Sequence, residues 1–108
     1  MNFEKLAGEI GFDKEDYMEL IELFINTTTS DIDKLKTAIN NGDFNSAEKA
    51  AHSIKGAASS LGITEISNEA KKIEYAGKEG QGAITALSVD ELEAMLNRIR
   101  ENYKTYKG

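Results

Sequence analysis

The sequence predicts an all-α fold: an antiparallel up-and-down four-helix bundle with a short N-terminal lid helix. Three observations lead there. The 108 residues contain no proline, the residue that most strongly breaks a helix interior. Apolar and polar residues do not alternate over any stretch long enough for a half-buried strand. Four substantial segments with short connections repeat apolar residues at helical spacing.

Phe3, Leu6, Ala7 and Ile10 recur at i, i+3, i+4 and i+7, so residues 2–10 read as the lid, ended by Gly11. Asp13 is the N-cap of the second helix, followed by Asp16, with Phe12 and Tyr17 placed as a hydrophobic staple. Tyr17, Leu20, Ile21, Phe24, Thr28, Leu35, Ala38 and Ile39 then share one face up to the stop at Asn41 and Gly42. Thr27 to Asp31 is the weak stretch, because Ser, Thr and Asp side chains compete for local backbone groups. One continuous helix over 13–41, with a bend allowed there, would span roughly 40 Å.

Asp43 caps the third helix, which runs to Leu61; Gly62 stops it, and Ile63 folds back onto Ala58 in a Schellman arrangement. Thr64 is read as the cap of the fourth helix, whose inner stripe is Ile66, Ala70, Ile73 and Ala76 or Gly77. The stretch Gly77 to Leu87 holds three glycines and reads as a loop or frayed end. Ser88 and Glu91 then form a capping box with Leu87 and Leu92 as staple, and the last helix buries Leu92, Met95, Leu96, Ile99, Tyr103 and Tyr106. The tyrosines and phenylalanines fall mainly on these inner stripes, as core rather than platforms for stacked bases.

Composition narrows the function. The length suits one domain over residues 1–108. Without cysteine there are no disulfides, thiolate metal sites or cysteine nucleophiles, which fits a reducing compartment. No apolar run approaches the ~20 residues of a membrane span, and the N-terminus lacks the apolar centre of a signal peptide, so a cytoplasmic protein is expected. Nineteen acidic against 13 basic residues give a formal charge of −6, unlike the concentrated basic face that nucleic acids require. Lys71 and Lys72 come nearest to such a face and read as solvated helix surface.

The single histidine, His52, is the most informative residue. On a helix, Ala47, Ala50, Ala51, Ile54, Ala57, Ala58 and Leu61 form one apolar stripe, and His52 points about 160° from its centre, on the face of Glu48, Lys55, Gly56 and Ser59. A histidine filling the core would lie on the stripe. Gly56 is the second anomaly, since glycine in an exposed helical turn costs about 1 kcal/mol relative to alanine. Its use there is to leave a side chain out, one turn from the imidazole. Lys55, at i+3, brings an ammonium beside the ring. Each has a plain alternative: a surface histidine without a task, a solvated lysine paired with Glu48, and for Gly62 a helix stop. The set together favours a site.

His52, Lys55, Gly56, Ser59 and Gly62 resemble the signature of histidine-containing phosphotransfer (HPt) domains, in which a histidine is followed three and four residues later by lysine and glycine. The helical plan around them fits the same family over most of the chain. The resemblance implies the four-helix bundle and a phosphorelay carrier: His52 as phosphoacceptor through Nε2, Lys55 offsetting phosphoryl charge, Gly56 giving access and Ser59 keeping the docking face low. It also implies an acidic or amide residue on the next helix that hydrogen-bonds the ring. Gap-free counting along the helical hairpin brings Glu74 and Lys71 to that neighbourhood, with ordinary charged helix surface as the alternative.

A neutral imidazole is a competent nucleophile because its ordinary pKa is about 6.5. The sequence has no phosphate-binding loop, kinase glycine loop or evident carboxylate pair for magnesium, so ATP is not expected as direct donor and no cofactor is expected on the chain. The resemblance implies receiver domains of response regulators as partners, each bringing the aspartate and magnesium, with a hybrid sensor histidine kinase as a further candidate. A monomer is expected. Beginning at Met1 with little beyond the bundle, the chain reads as a freestanding carrier, though an excised piece of a hybrid kinase would read the same. Two other readings stand beside this one: an HPt-like bundle that binds a receiver or kinase without carrying phosphate, and a helical hydrolase or metal protein, which would lack a nucleophile triad and a ligand set.

Overall fold

Backbone hydrogen bonding at the chain reversals sets the length of each helix. After Asn40 the chain closes with Gly42 N–H donating to the Ile39 carbonyl at 3.1 Å and Asp43 N–H to the Ala38 carbonyl at 2.8 Å. The same pairing recurs after Ser60, where Gly62 N–H meets the Ser59 carbonyl at 3.1 Å and Ile63 N–H the Ala58 carbonyl at 2.9 Å. Gly42 and Gly62 stand at φ of 69° and 73°, a left-handed conformation that costs glycine little and other residues more.

The computed structural model describes residues 1–80 and 82–107. Its helices are α1 (Phe3–Glu9), α2 (Lys14–Asn40), α3 (Phe44–Ser60), α4 (Thr64–Lys78) and α5 (Gly82–Lys107). α3 packs between α2 and α4, α5 closes the square against α4 and α2, and α1 lies on α2. The bundle is antiparallel, as the short connections require. The 27-residue α2 is one unbroken helix, long enough at 1.5 Å per residue to run the 41 Å length of the molecule. Asp13 and Asp43 cap α2 and α3 through the backbone N–H groups of Asp16 and Ser46, as predicted.

Several expectations need correction. Thr64 is not a cap: the Schellman closure makes Ile63 the N-cap, whose carbonyl accepts from Ser67 N–H at 3.1 Å and whose aliphatic side chain makes no cap bond. The predicted loop over 77–87 is much shorter, and its Gln81 lies outside the described residues. Helix α5 starts at Gly82, so Ser88 is a buried position inside it and the box with Glu91 does not form a terminus. Ala86 and Leu87 are good helix formers, and continuing the helix through them carries Val89 into the core. The Phe12 half of the staple is 45% exposed, and Tyr106 is not buried either: at 41% exposure its ring lies under the Lys14 ammonium, 4.7 Å from the centroid. Tyr75, at 67%, is also outside, so the core aromatics are Phe3, Tyr17 and Phe24, with Tyr103 half-buried.

The core otherwise follows the stripes and adds Met18, Ile25, Ile32 and Val89, while Leu20, Ile39, Ala57 and Met95 are half-buried at its edge. One hydrogen bond ties its far ends together. The buried Tyr17 hydroxyl donates to the Leu61 carbonyl at 2.6 Å, joining the first turn of α2 to the α3–α4 reversal. Burial, helped by the nearby Glu9 charge, pushes the Tyr17 pKa up to about 12, so the phenol stays a donor at any ordinary pH. Tyr17→Phe should cost about 1–2 kcal/mol, because the Leu61 carbonyl is left buried without a donor. Urea denaturation at pH 7 measures this, and an unchanged midpoint would show that the carbonyl finds another partner.

Candidate functional site

The inner face of α3 is built from small residues: Ala47, Ala51 and Ala58 are fully buried, together with Ile54. Alanines let neighbouring backbones approach, and α4 answers with Gly77, where an added Cβ would stand 3.4 Å from the Phe44 carbonyl oxygen. The α3–α4 hairpin is therefore tight, and a short side chain on α4 reaches across to the outer face of α3.

His52 stands on that outer face with its side chain 67% exposed, as its register predicted. Its Nδ1 lies 3.4 Å from Glu74 Oε2. The same oxygen receives the Lys55 ammonium at 2.9 Å. Glu74 is only 14% exposed, and the Lys55 hydrogen bond is the main reason its carboxyl is held below the ordinary carboxylate range; the His52 hydrogen bond adds to this, against the opposing effect of burial. A carboxylate at Nδ1 favours the tautomer with the proton on Nδ1, which leaves the lone pair on Nε2.

The other residues of the set fall around this centre. A Cβ built on Gly56 would meet no atom within 4 Å, so the glycine leaves open space one turn beyond the ring. Ser59 is exposed and its hydroxyl shares a 2.6 Å hydrogen bond with Ser67 across the hairpin. Gly62 ends the helix. Lys55 pairs with Glu74 rather than Glu48, which instead faces Lys78 at 3.8 Å. Lys71 is exposed and forms no ion pair among the described residues. Sequence reasoning did not foresee that one carboxylate oxygen serves both the lysine and the imidazole; the acid between two facing basic residues was the available signal.

Comparison with known proteins bears on this geometry. The sequence profile of the Hpt domain matches residues 19–102. The chain belongs to the Hpt domain family. An HPt bundle of the same fold is the crystal structure of histidine-containing phosphotransfer protein B from Pseudomonas aeruginosa PAO1, which superposes with a TM-score of 0.85 at 21% sequence identity, covering 98% of this chain and 92% of that one. No curated protein gives a significant sequence match. In this HPt chain, no helix among the described residues is long and apolar enough to cross a membrane.

Because the folded state lowers the Glu74 pKa, its charge stabilises the hairpin above the ordinary carboxylate range of about 4.3, and the contribution fades as pH falls through the folded value. Glu74→Gln should therefore lower stability at pH 7 by up to about 1 kcal/mol, and the gap to wild type should narrow as the pH is lowered below the ordinary carboxylate range. Urea titrations across that range measure it. A gap of equal size at both ends would remove the charge from the explanation.

Proposed function

We propose that this chain carries a phosphoryl group on His52 between receiver-domain aspartates. The observation that carries the reading is the exposed imidazole held at Nδ1 by Glu74, with Nε2 free, Lys55 adjacent and Gly56 leaving the approach open, in a member of the Hpt family. In the transfer, His52 Nε2 attacks the phosphorus of an aspartyl phosphate; the N–P bond forms as the P–O bond to the aspartate breaks and the aspartate leaves as carboxylate. The Nδ1 proton stays against Glu74. Lys55 turns from Glu74 to the phosphoryl oxygens and offsets their charge. Transfer onward to a second aspartate is the reverse of the same steps.

Gly56 and Ser59 keep the surface low for the partner, and rigid placement of the ring on α3 is this chain's contribution to orientation. The receiver supplies the aspartate and the magnesium ion. The sequence holds no phosphate-binding loop for ATP, and in this reading the chain acts as a carrier rather than an enzyme in its own right. A monomer leaves the His52 face open, and the lack of cysteine supports a cytoplasmic setting. A hybrid sensor kinase is a further candidate donor.

The test is transfer of labelled phosphate from a phosphorylated receiver domain to wild type and to His52→Gln. Acid-labile, base-stable label on wild type alone is the expected result; binding without label would favour a module that engages receivers without carrying phosphate. Two substitutions at Gly56 separate clearance from folding. Gly56→Ala should raise stability by about 0.5–1 kcal/mol, since its Cβ enters open space in a helix. Gly56→Arg should reduce transfer about tenfold or more with helicity intact, and normal transfer by that variant would refute the clearance argument.

A further inference from the structure

Beside the His52 face, α2 and α3 part to form an open groove of about 560 Å³. Its walls are mostly small residues, and Asp31 is one of those that line it. Asp31 is only 8% exposed, and its carboxylate is loosely held, with Oδ1 left open to the groove. Ser53 donates to Oδ2 at the long distance of 3.3 Å. The Lys34 ammonium stands 3.9 Å from Oδ1, outside hydrogen-bond length, with its side chain 70% exposed. No other side-chain donor reaches Asp31 among the described residues. An ionised carboxylate offers about four acceptor positions and is normally paired when buried. Asp43, the other acid on the groove wall, is already occupied by the N–H and hydroxyl of Ser46.

We propose that this groove is a socket for an arginine side chain of the phosphotransfer partner, and that Asp31 is the residue that receives it. The proposal rests on the phosphotransfer reading for the identity of the partner. The arginine is argued from shape and charge. Its planar fork can place two parallel N–H donors on Oδ1 and Oδ2, which the distant Lys34 does not. Its aliphatic stem suits the methyl groups of Ala38 and Ala50, which line the same groove. The partner is argued from position. Ser53, which bonds Asp31, directly follows His52, and the groove residue Lys49 precedes the histidine by one turn. A protein seated over the imidazole therefore covers the mouth of the groove. Lys34 and Lys49, both exposed, line the same groove and fit acidic neighbours of the incoming arginine.

The substitution to use is Asp31→Asn, which keeps the size of the side chain and an acceptor for Ser53 while removing the charge. The first measurement is an amide NMR titration of wild type and variant with Nα-acetyl-arginine amide, and with the corresponding lysine derivative. Saturable shifts at Asp31, Ala50 and Ser53 are expected for the arginine probe at millimolar concentrations, about fivefold or more weaker in the variant. Absent shifts, equal shifts in the variant, or equal response to the lysine probe would each overturn the socket. The second measurement is transfer from a receiver domain: Asp31→Asn should raise KM about tenfold with kcat and direct labelling of His52 by phosphoramidate unchanged, and an unchanged KM counts against the proposal. If wild type accepts phosphate from no receiver, the phosphotransfer reading fails, while the arginine titration still decides whether the socket exists.

Discussion

The close contact between α3 and α4 is the constraint on which the candidate site depends. Glu74 reaches His52 and Lys55 only because the two backbones approach over Ala47, Ala51 and Ala58 on one side and Gly77 on the other. A larger side chain at any of those positions would widen the hairpin, and a distance of 2.9 Å between Lys55 and Glu74 leaves little room for that. The apolar stripe on α3 thus does two things at once. It excludes water from the core, and it sets the height at which the outer face meets its neighbour.

That coupling also explains the electrostatics. An exposed lysine–glutamate pair contributes little in water, but Glu74 is largely covered by the hairpin, and Lys55 is half-buried beside it. The carboxylate keeps its charge because the ammonium offsets the cost of covering it. His52 then meets an acceptor that is already ordered, so the ring orientation requires no further reorganisation of α4.

Much of this was legible in the sequence because it rests on periodicity and on short-range rules. The stripe of α3 put His52 outside, the caps at Asp13 and Asp43 marked two helix starts, and Gly62 marked a reversal. Gap-free counting along the hairpin brought Glu74 and Lys71 to the neighbourhood, and of the two Glu74 is the one that contacts the ring. Where local rules failed, tertiary packing or a competing local preference had won. Ser88 and Glu91 satisfy a capping pattern, yet α5 runs through them to carry Val89 inward. Thr64 has the chemistry of a cap but follows a closure that leaves Ile63 in that role. The Ser53 bond to Asp31, the Tyr17 bond to Leu61 and the shared oxygen of Glu74 all join residues on different helices, and no single-helix pattern encodes them.

The sequence separations of these contacts divide the molecule by function. His52 and Glu74 are 22 residues apart, whereas the bonds that hold α5 to α2, such as Arg100 to Thr29 and Tyr103 to Glu22, span 71 and 81. The proposed chemical centre is a local unit, encoded within a single hairpin, and the long-range bonds form a clamp around it. Substitution in the clamp acts on how often the bundle opens, and substitution in the hairpin acts on what the histidine can do. The two properties can therefore drift independently under selection, with stability tuned on α5 while the reactive geometry stays fixed.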